Sequence, residues 1–123
     1  MKVSIKAKSS SGGSYDVEFL SENESFSVHC TCKAGIVGNL CRHRRGLLMG
    51  DETMLVDPSQ SGDLAIVVEW GRRVGLDRIL RTLETCEEEF SRASKEVTNL
   101  KRLIEEGLRN GLNRHLLESW HVK

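Results

Sequence analysis

The stretch Ser25-Phe26-Ser27-Val28-His29-Cys30-Thr31-Cys32, followed eight residues later by Cys41-Arg42-His43, decides how this chain of 123 residues is read. It gathers three of the four cysteines and two of the four histidines into fifteen positions. Ser25 to Val28 alternate polar and apolar side chains, which is the period of a strand with one buried face. Residues two apart on a strand project to the same face, so Cys30 and Cys32 can reach one ion, and His29 points the other way. On a helix, residues two apart point about 200° away from each other, so Cys41 and His43 cannot both sit mid-helix. Cys41 is therefore placed in a turn and His43 in the first turn of a helix. The eight residues between the pairs, Lys33-Ala34-Gly35-Ile36-Val37-Gly38-Asn39-Leu40, hold two glycines and an asparagine, a composition that lets a chain double back.

Structural zinc takes four ligands in a closed tetrahedron, and Cys30, Cys32, Cys41 and His43 supply three thiolate sulfurs and one imidazole nitrogen. One structural Zn2+ per chain is the cofactor this donor set predicts. Buried free cysteines, acting as small hydrophobes, are the plain alternative. A disulfide fits less well, because the N-terminus shows no charged segment followed by an apolar one and thiols stay reduced inside cells. The same feature predicts an intracellular protein, cytoplasmic or, in a eukaryote, nuclear. A Cys–His nucleophile lacks an orienting companion and an oxyanion site nearby. Four protein ligands leave zinc no open position for water or substrate, and the His-x-Glu with Pro-Cys-x-x-Cys pattern of zinc deaminases is absent. The chain is not expected to be an enzyme, and no catalytic residue is assigned.

The order Cys-x-Cys, short loop, Cys-x-His, carried by Cys30, Cys32, Cys41 and His43, resembles the SWIM zinc finger. The resemblance covers residues 24 to 50 or so. It includes a hydrophobic strand before the first pair, with Phe26 and Val28, and an aliphatic helix after the histidine, with Leu47, Leu48 and Met49. It implies a strand pair followed by a helix around the metal, a ββα finger. SWIM fingers occur in transposases, chromatin remodelling proteins, recombination accessory factors and ubiquitin-ligase-like proteins, where they are thought to bind DNA or other proteins. The resemblance names a module and leaves its partner open.

The flanking sequence predicts what the finger is attached to. Val3 to Lys8 alternate, Ser9 to Ser14 have turn composition, and Tyr15, Val17 and Phe19 alternate again, which is a hairpin signature. With a third strand at about 24 to 30, this makes an antiparallel meander that buttresses the finger. Residues 51 to 62 hold the only proline and several turn formers, so a boundary is drawn there: 1–57 for the sheet and finger, 58–123 for a helical region. Leu64 to Trp70 fit either a buried strand or a helix. Asp63 as N-cap, with Val67, Trp70 and Val74 on one face, favours helix.

Leu76, Ile79, Leu83, Cys86, Phe90, Ala93, Val97, Leu100 and Ile104 follow steps of three and four without a miss, a heptad seam within residues 76–106. At 1.5 Å per residue such a helix is roughly 46 Å long, against a radius of gyration near about 14 Å for a domain of this size. The seam therefore needs a partner helix. A second copy of the chain would give a homodimeric coiled coil through Leu76, Ile79, Leu83, Phe90, Val97, Leu100 and Ile104. Within one chain, a bend near Ser91–Ser94 would give a helical hairpin, and the segment with Leu112, Leu116, Leu117 and Trp120 is the other candidate. Cys86, inside the seam, reads as a small buried apolar residue. His115 and His121 read as surface or interface residues.

The fold class is thus α+β: a small antiparallel sheet with a zinc-bound finger, then a long C-terminal helix forming a coiled coil or hairpin. Charge bears on the partner. Lys plus Arg equals Asp plus Glu at 18 each, so the whole chain has no electrostatic pull toward nucleic acid. Residues 1 to 50, however, carry seven basic and four acidic side chains. Lys33, Arg42, Arg44 and Arg45 surround the ligands and make a patch suited to phosphate oxygens of DNA or RNA. An unidentified protein partner, recruited by the long helix, is the rival reading, supported by zero net charge and the acidic run Glu87-Glu88-Glu89. No apolar run of about 18 residues exists, so no membrane partner is expected.

Overall fold

The computed structural model describes residues 1–111 and 113–119, apart from the side chains of residues 116 and 117. The positions read above as Leu112, Trp120 and His121, and the side chains of Leu116 and Leu117, lie outside the described residues. Three strands, β1 (Lys2–Lys8), β2 (Ser14–Glu22) and β3 (Ser25–Cys30), form an antiparallel sheet in the order β1-β2-β3. The alternation in the sequence becomes the two faces of that sheet. Ile5 and Ala7 on β1 and Val17 and Phe19 on β2 are almost fully buried, while Ser4, Lys6, Asp16 and Glu18 beside them face water. The fold class is α+β, as the sequence predicts.

Two short helices follow β3: α1 (Lys33–Ile36) and α2 (Arg42–Leu48). The first departs from the sequence reading, which treats residues 33 to 40 as a plain loop. Gly38, at φ +85°, ends α1 with paired bonds from Gly38 N–H to the Gly35 carbonyl and from Asn39 N–H to the Ala34 carbonyl. A left-handed residue at that position is what turns the chain out of the helix, and glycine adopts it without a Cβ penalty.

The chain then runs back along the free edge of β1. Val56 N–H donates to the Lys6 carbonyl, Leu55 bridges to Ala7, and two 3-10 turns at Glu52–Met54 and Pro58–Gln60 complete the connection. Gln60 donates to the Ser4 carbonyl and accepts from Lys6 N–H, so the start of the next helix is pinned to the sheet. That helix, α3 (Ser61–Arg73), resolves the strand-or-helix ambiguity of residues 64 to 70. It begins two residues before Asp63, which lies in the first turn rather than at the N-cap. Gln60 holds the cap position, and Asp63 accepts from its side chain. Leu64, Val67 and Trp70 form the buried stripe of α3, and Trp70 meets Phe26 of β3 edge-on at 6.4 Å between ring centroids.

The helix α4 (Leu76–Asn110) is continuous over 35 residues, and α5 (Arg114–Ser119) follows. No bend occurs at Ser91–Ser94, so the hairpin folded at that point does not form. The Asp77–Arg81 and Glu105–Arg109 ion pairs form at 2.7 and 3.0 Å. The chain makes two compact units, Met1–Leu83 and Glu84–Lys123, and α3 belongs to the first with the sheet, α1 and α2. Within that unit Leu80 is buried and Leu76 packs partly against the core. Further along, the seam is open: Phe90 is 75% exposed and Val97 51%. Cys86 is exposed as well.

Candidate metal centre

Cys30, Cys32, Cys41 and His43 converge. Their ligand atoms all lie within 4.8 Å of one another, and all four residues are buried. Bond lengths of about 2.0–2.3 Å put the donor atoms of a tetrahedral zinc site roughly 3.5–3.8 Å apart, so no pair has to close by more than about 1 Å. One ion fits that space. The imidazole gives an independent sign of the same requirement: both ring nitrogens of His43 are buried without a hydrogen-bond partner. An orphaned buried nitrogen is costly, and coordination to a metal relieves the cost.

The local structure that delivers the sulfurs differs from the strand-face geometry the spacing suggests. β3 ends at Cys30, whose Cα pairs with Val17. Thr31 then clips to β2, its N–H donating to the Asp16 carbonyl and its hydroxyl accepting from Asp16 N–H at 3.1 Å. Cys32 is the N-cap of α1, and its sulfur accepts from Gly35 N–H at 3.3 Å. Cys41 is the N-cap of α2, and its sulfur accepts from Arg44 N–H at 3.4 Å. The two loop thiols thus sit in equivalent places, each capping a helix three residues ahead. His43 occupies the first turn of α2, as expected. Gly35 allows α1 to lie against β3, since a Cβ there would stand 2.5 Å from the Cys30 carbonyl oxygen.

Arg44 closes the surround, a role its charge alone does not announce. Its Nε donates to the Cys41 sulfur at 3.4 Å, Nη1 to the Val28 carbonyl at 3.3 Å, and Nη2 to the Asn39 carbonyl. One guanidinium therefore ties a ligand, the strand before the site and the loop across it. Of the other cationic residues, Lys33 is exposed on α1 and Arg42 is exposed on α2, where it donates to the Lys8 carbonyl at 3.4 Å. Arg45 is half-buried on α2. Tyr15, which the spacing of ligands does not point to, lays its ring 5.0 Å from that of His43. His29 is exposed and pairs in register with Glu18.

Electrostatics divide the thiols. Burial pushes the Cys30 thiol up to about 12, with the neighbouring Cys32 and Cys41 sulfurs adding to the rise against a lowering backbone bond from Cys32. Burial raises Cys41 too, but the Arg44 N–H and side chain, together with the neighbouring Cys32 and Cys30 thiols, bring it down to about 7. His43 is held below its usual value by burial and by the Arg42 charge. A low-pKa thiol and a neutral imidazole are the forms that bind a metal. If one ion is bound, Cys30, Cys32, Cys41 and His43 would hold it, and it would supply a closed cross-link between β3, α1 and α2.

The outer face of the ligand loop is apolar: Ile36, Val37 and Leu40 are 73%, 64% and 53% exposed. Among the described residues no helix is long and apolar enough to cross a membrane. No family model, curated protein or solved structure matches the chain.

Proposed function

We propose that this chain is a SWIM-type, zinc-braced binding module that pairs with a second copy through α4 and engages nucleic acid, DNA foremost, through the finger. The observation that carries the reading is the charge of the ligand segment. From Thr31 to Gly50 there are four Lys or Arg residues and no Asp or Glu, all on the two helices fixed by the metal centre. Arg44 faces inward, so the phosphate contacts fall to Lys33, Arg42 and Arg45. Zinc acts as a brace, and no reaction is assigned to it.

The test is a mobility shift of metal-loaded chain on duplex DNA across about 50 to 200 mM salt, where each neutralised phosphate contributes a slope of about −0.9. Lys33→Ala with Arg42→Ala should lower the slope by about two and leave zinc content unchanged. Absence of binding at low salt, or an unaltered slope in that variant, removes the nucleic-acid reading.

A second reading is a protein adaptor in which zinc is purely structural and the long helix recruits the partner. Exposed Ile36, Val37 and Leu40 favour it, since phosphates do not recruit aliphatic groups. Loss of partner binding on Ile36→Ser with Val37→Ser, in a chain that shifts no duplex, would select it.

A further inference from the structure

The seam positions of α4 are spaced symmetrically about the point between residues 91 and 92, and their side chains complement one another across it. Stepping outward in both directions, Phe90 is matched by Ala93, Cys86 by Val97, Leu83 by Leu100 and Ile79 by Ile104. Phe90, Val97 and Ile104 are 75%, 51% and 46% exposed in the single chain, and the helix runs unbroken past its midpoint, so it does not cover its own seam there.

We infer that α4 pairs antiparallel with α4 of a second copy, with Phe90 against Ala93 of the partner subunit and Cys86 against Val97 of the partner subunit. The inference rests on the dimeric part of the function proposed above. In a parallel pair in register each seam residue meets its own copy. Two phenylalanines would then crowd one layer, and two alanines would leave the next layer underfilled. Cores penalise both faults. Running the helices in opposite directions sets the largest side chain of the seam against the smallest in both central layers and keeps similar sizes together in the layers outside them.

Surface charge favours the other orientation. A parallel pair would place Glu96 by Lys101 of the partner subunit, whereas the antiparallel pair brings Glu89 near Glu96 of the partner subunit. Exposed charge pairs are severalfold weaker than a core void or clash, so packing decides.

Cys86 makes the orientation measurable. Antiparallel pairing in this register separates the two Cys86 residues by eleven residues along the axis, about 16 Å, and a disulfide needs Cα atoms within about 7 Å. The experiment is mild oxidation of the metal-loaded full chain after its mass has been measured by light scattering. The expected result is a dimer that forms no interchain disulfide as the wild type, becomes covalently linked as Val97→Cys, and loses that link when Cys86→Ser is added. Linkage of the wild type through Cys86 would show the parallel pair and overturn the inference while leaving the dimer. A dimer unlinked in both the wild type and Val97→Cys would overturn the register. A chain monomeric at every concentration would remove the dimeric reading and this inference with it.

Discussion

Arg44 donates to the sulfur of Cys41 twice, through its backbone N–H and through Nε, both at 3.4 Å. The first bond is a helix cap that any residue except proline could make at that position. The second needs an arginine, because the same guanidinium also reaches the carbonyls of Val28 and Asn39. Groups that orient metal ligands in this way typically govern affinity by about 10–100-fold. Arg44→Ala should weaken zinc binding by that order in a chelator competition. Arg44→Lys, which keeps the charge and loses the fork, should recover only part. Equal affinity in all three proteins would contradict the role.

Gly35 is a steric requirement of the centre. A methyl group there would meet the Cys30 carbonyl oxygen at 2.5 Å and its Cβ at 3.0 Å. Backbone cannot swing aside as a side chain can, so α1 must lift from β3, carrying Cys32 with it. Gly35→Ala should destabilise the metal-loaded chain by about 1–3 kcal/mol, the usual cost of overpacking. Thermal unfolding beside the wild type measures it.

Protonation of the metal-free chain should depend on two thiols with opposite signs. Cys41 is lowered from 9.0 to about 7, so its stabilisation is fully present above pH 9 and is lost as pH falls through 7. Cys30 is raised from 9.0 to about 12, so its stabilisation is present below pH 9 and is lost as pH rises through 12. A thiolate absorbance titration should show one step near pH 7 that Cys41→Ser abolishes. Arg44→Ala should move that step upward.

Removing the metal should loosen one part of the molecule first. Binding at structural zinc sites contributes on the order of 10 kcal/mol to folding, because the unfolded chain has no preformed cage. Hydrogen exchange after chelation should accelerate most in β3, α1 and α2, the elements that carry the ligands. Uniform acceleration, or none, would argue that hydrophobic packing alone holds the site.

The ligand quartet was legible because its spacing is chemical: Cys-x-Cys and Cys-x-His place four donors where few other purposes need them. The strands were legible because Ile5, Ala7, Val17 and Phe19 alternate with exposed neighbours. What the spacing misstated was the path of the chain. Cys30 and Cys32 suit one strand face, yet Thr31 ties to Asp16 and ends the strand, and Cys32 begins a helix instead. Gly35 and Gly38 read as loop formers, and they hide that helix because one serves close approach and the other termination. Arg44 was equally opaque. A sequence shows its charge, while its three inward acceptors come from a strand, a loop and a helix cap that only the fold assembles. The seam of α4 was plain from its period, but not that Leu80, outside the seam, would be the residue buried in the core.

X-ray absorption at the zinc edge of the purified chain tests the central claim most directly. The account predicts one zinc per chain with three sulfur ligands at about 2.3 Å and one nitrogen at about 2.0 Å, reduced to two sulfurs in Cys41→Ser. Purified chain that takes up no zinc, or a spectrum dominated by oxygen ligands, would contradict it.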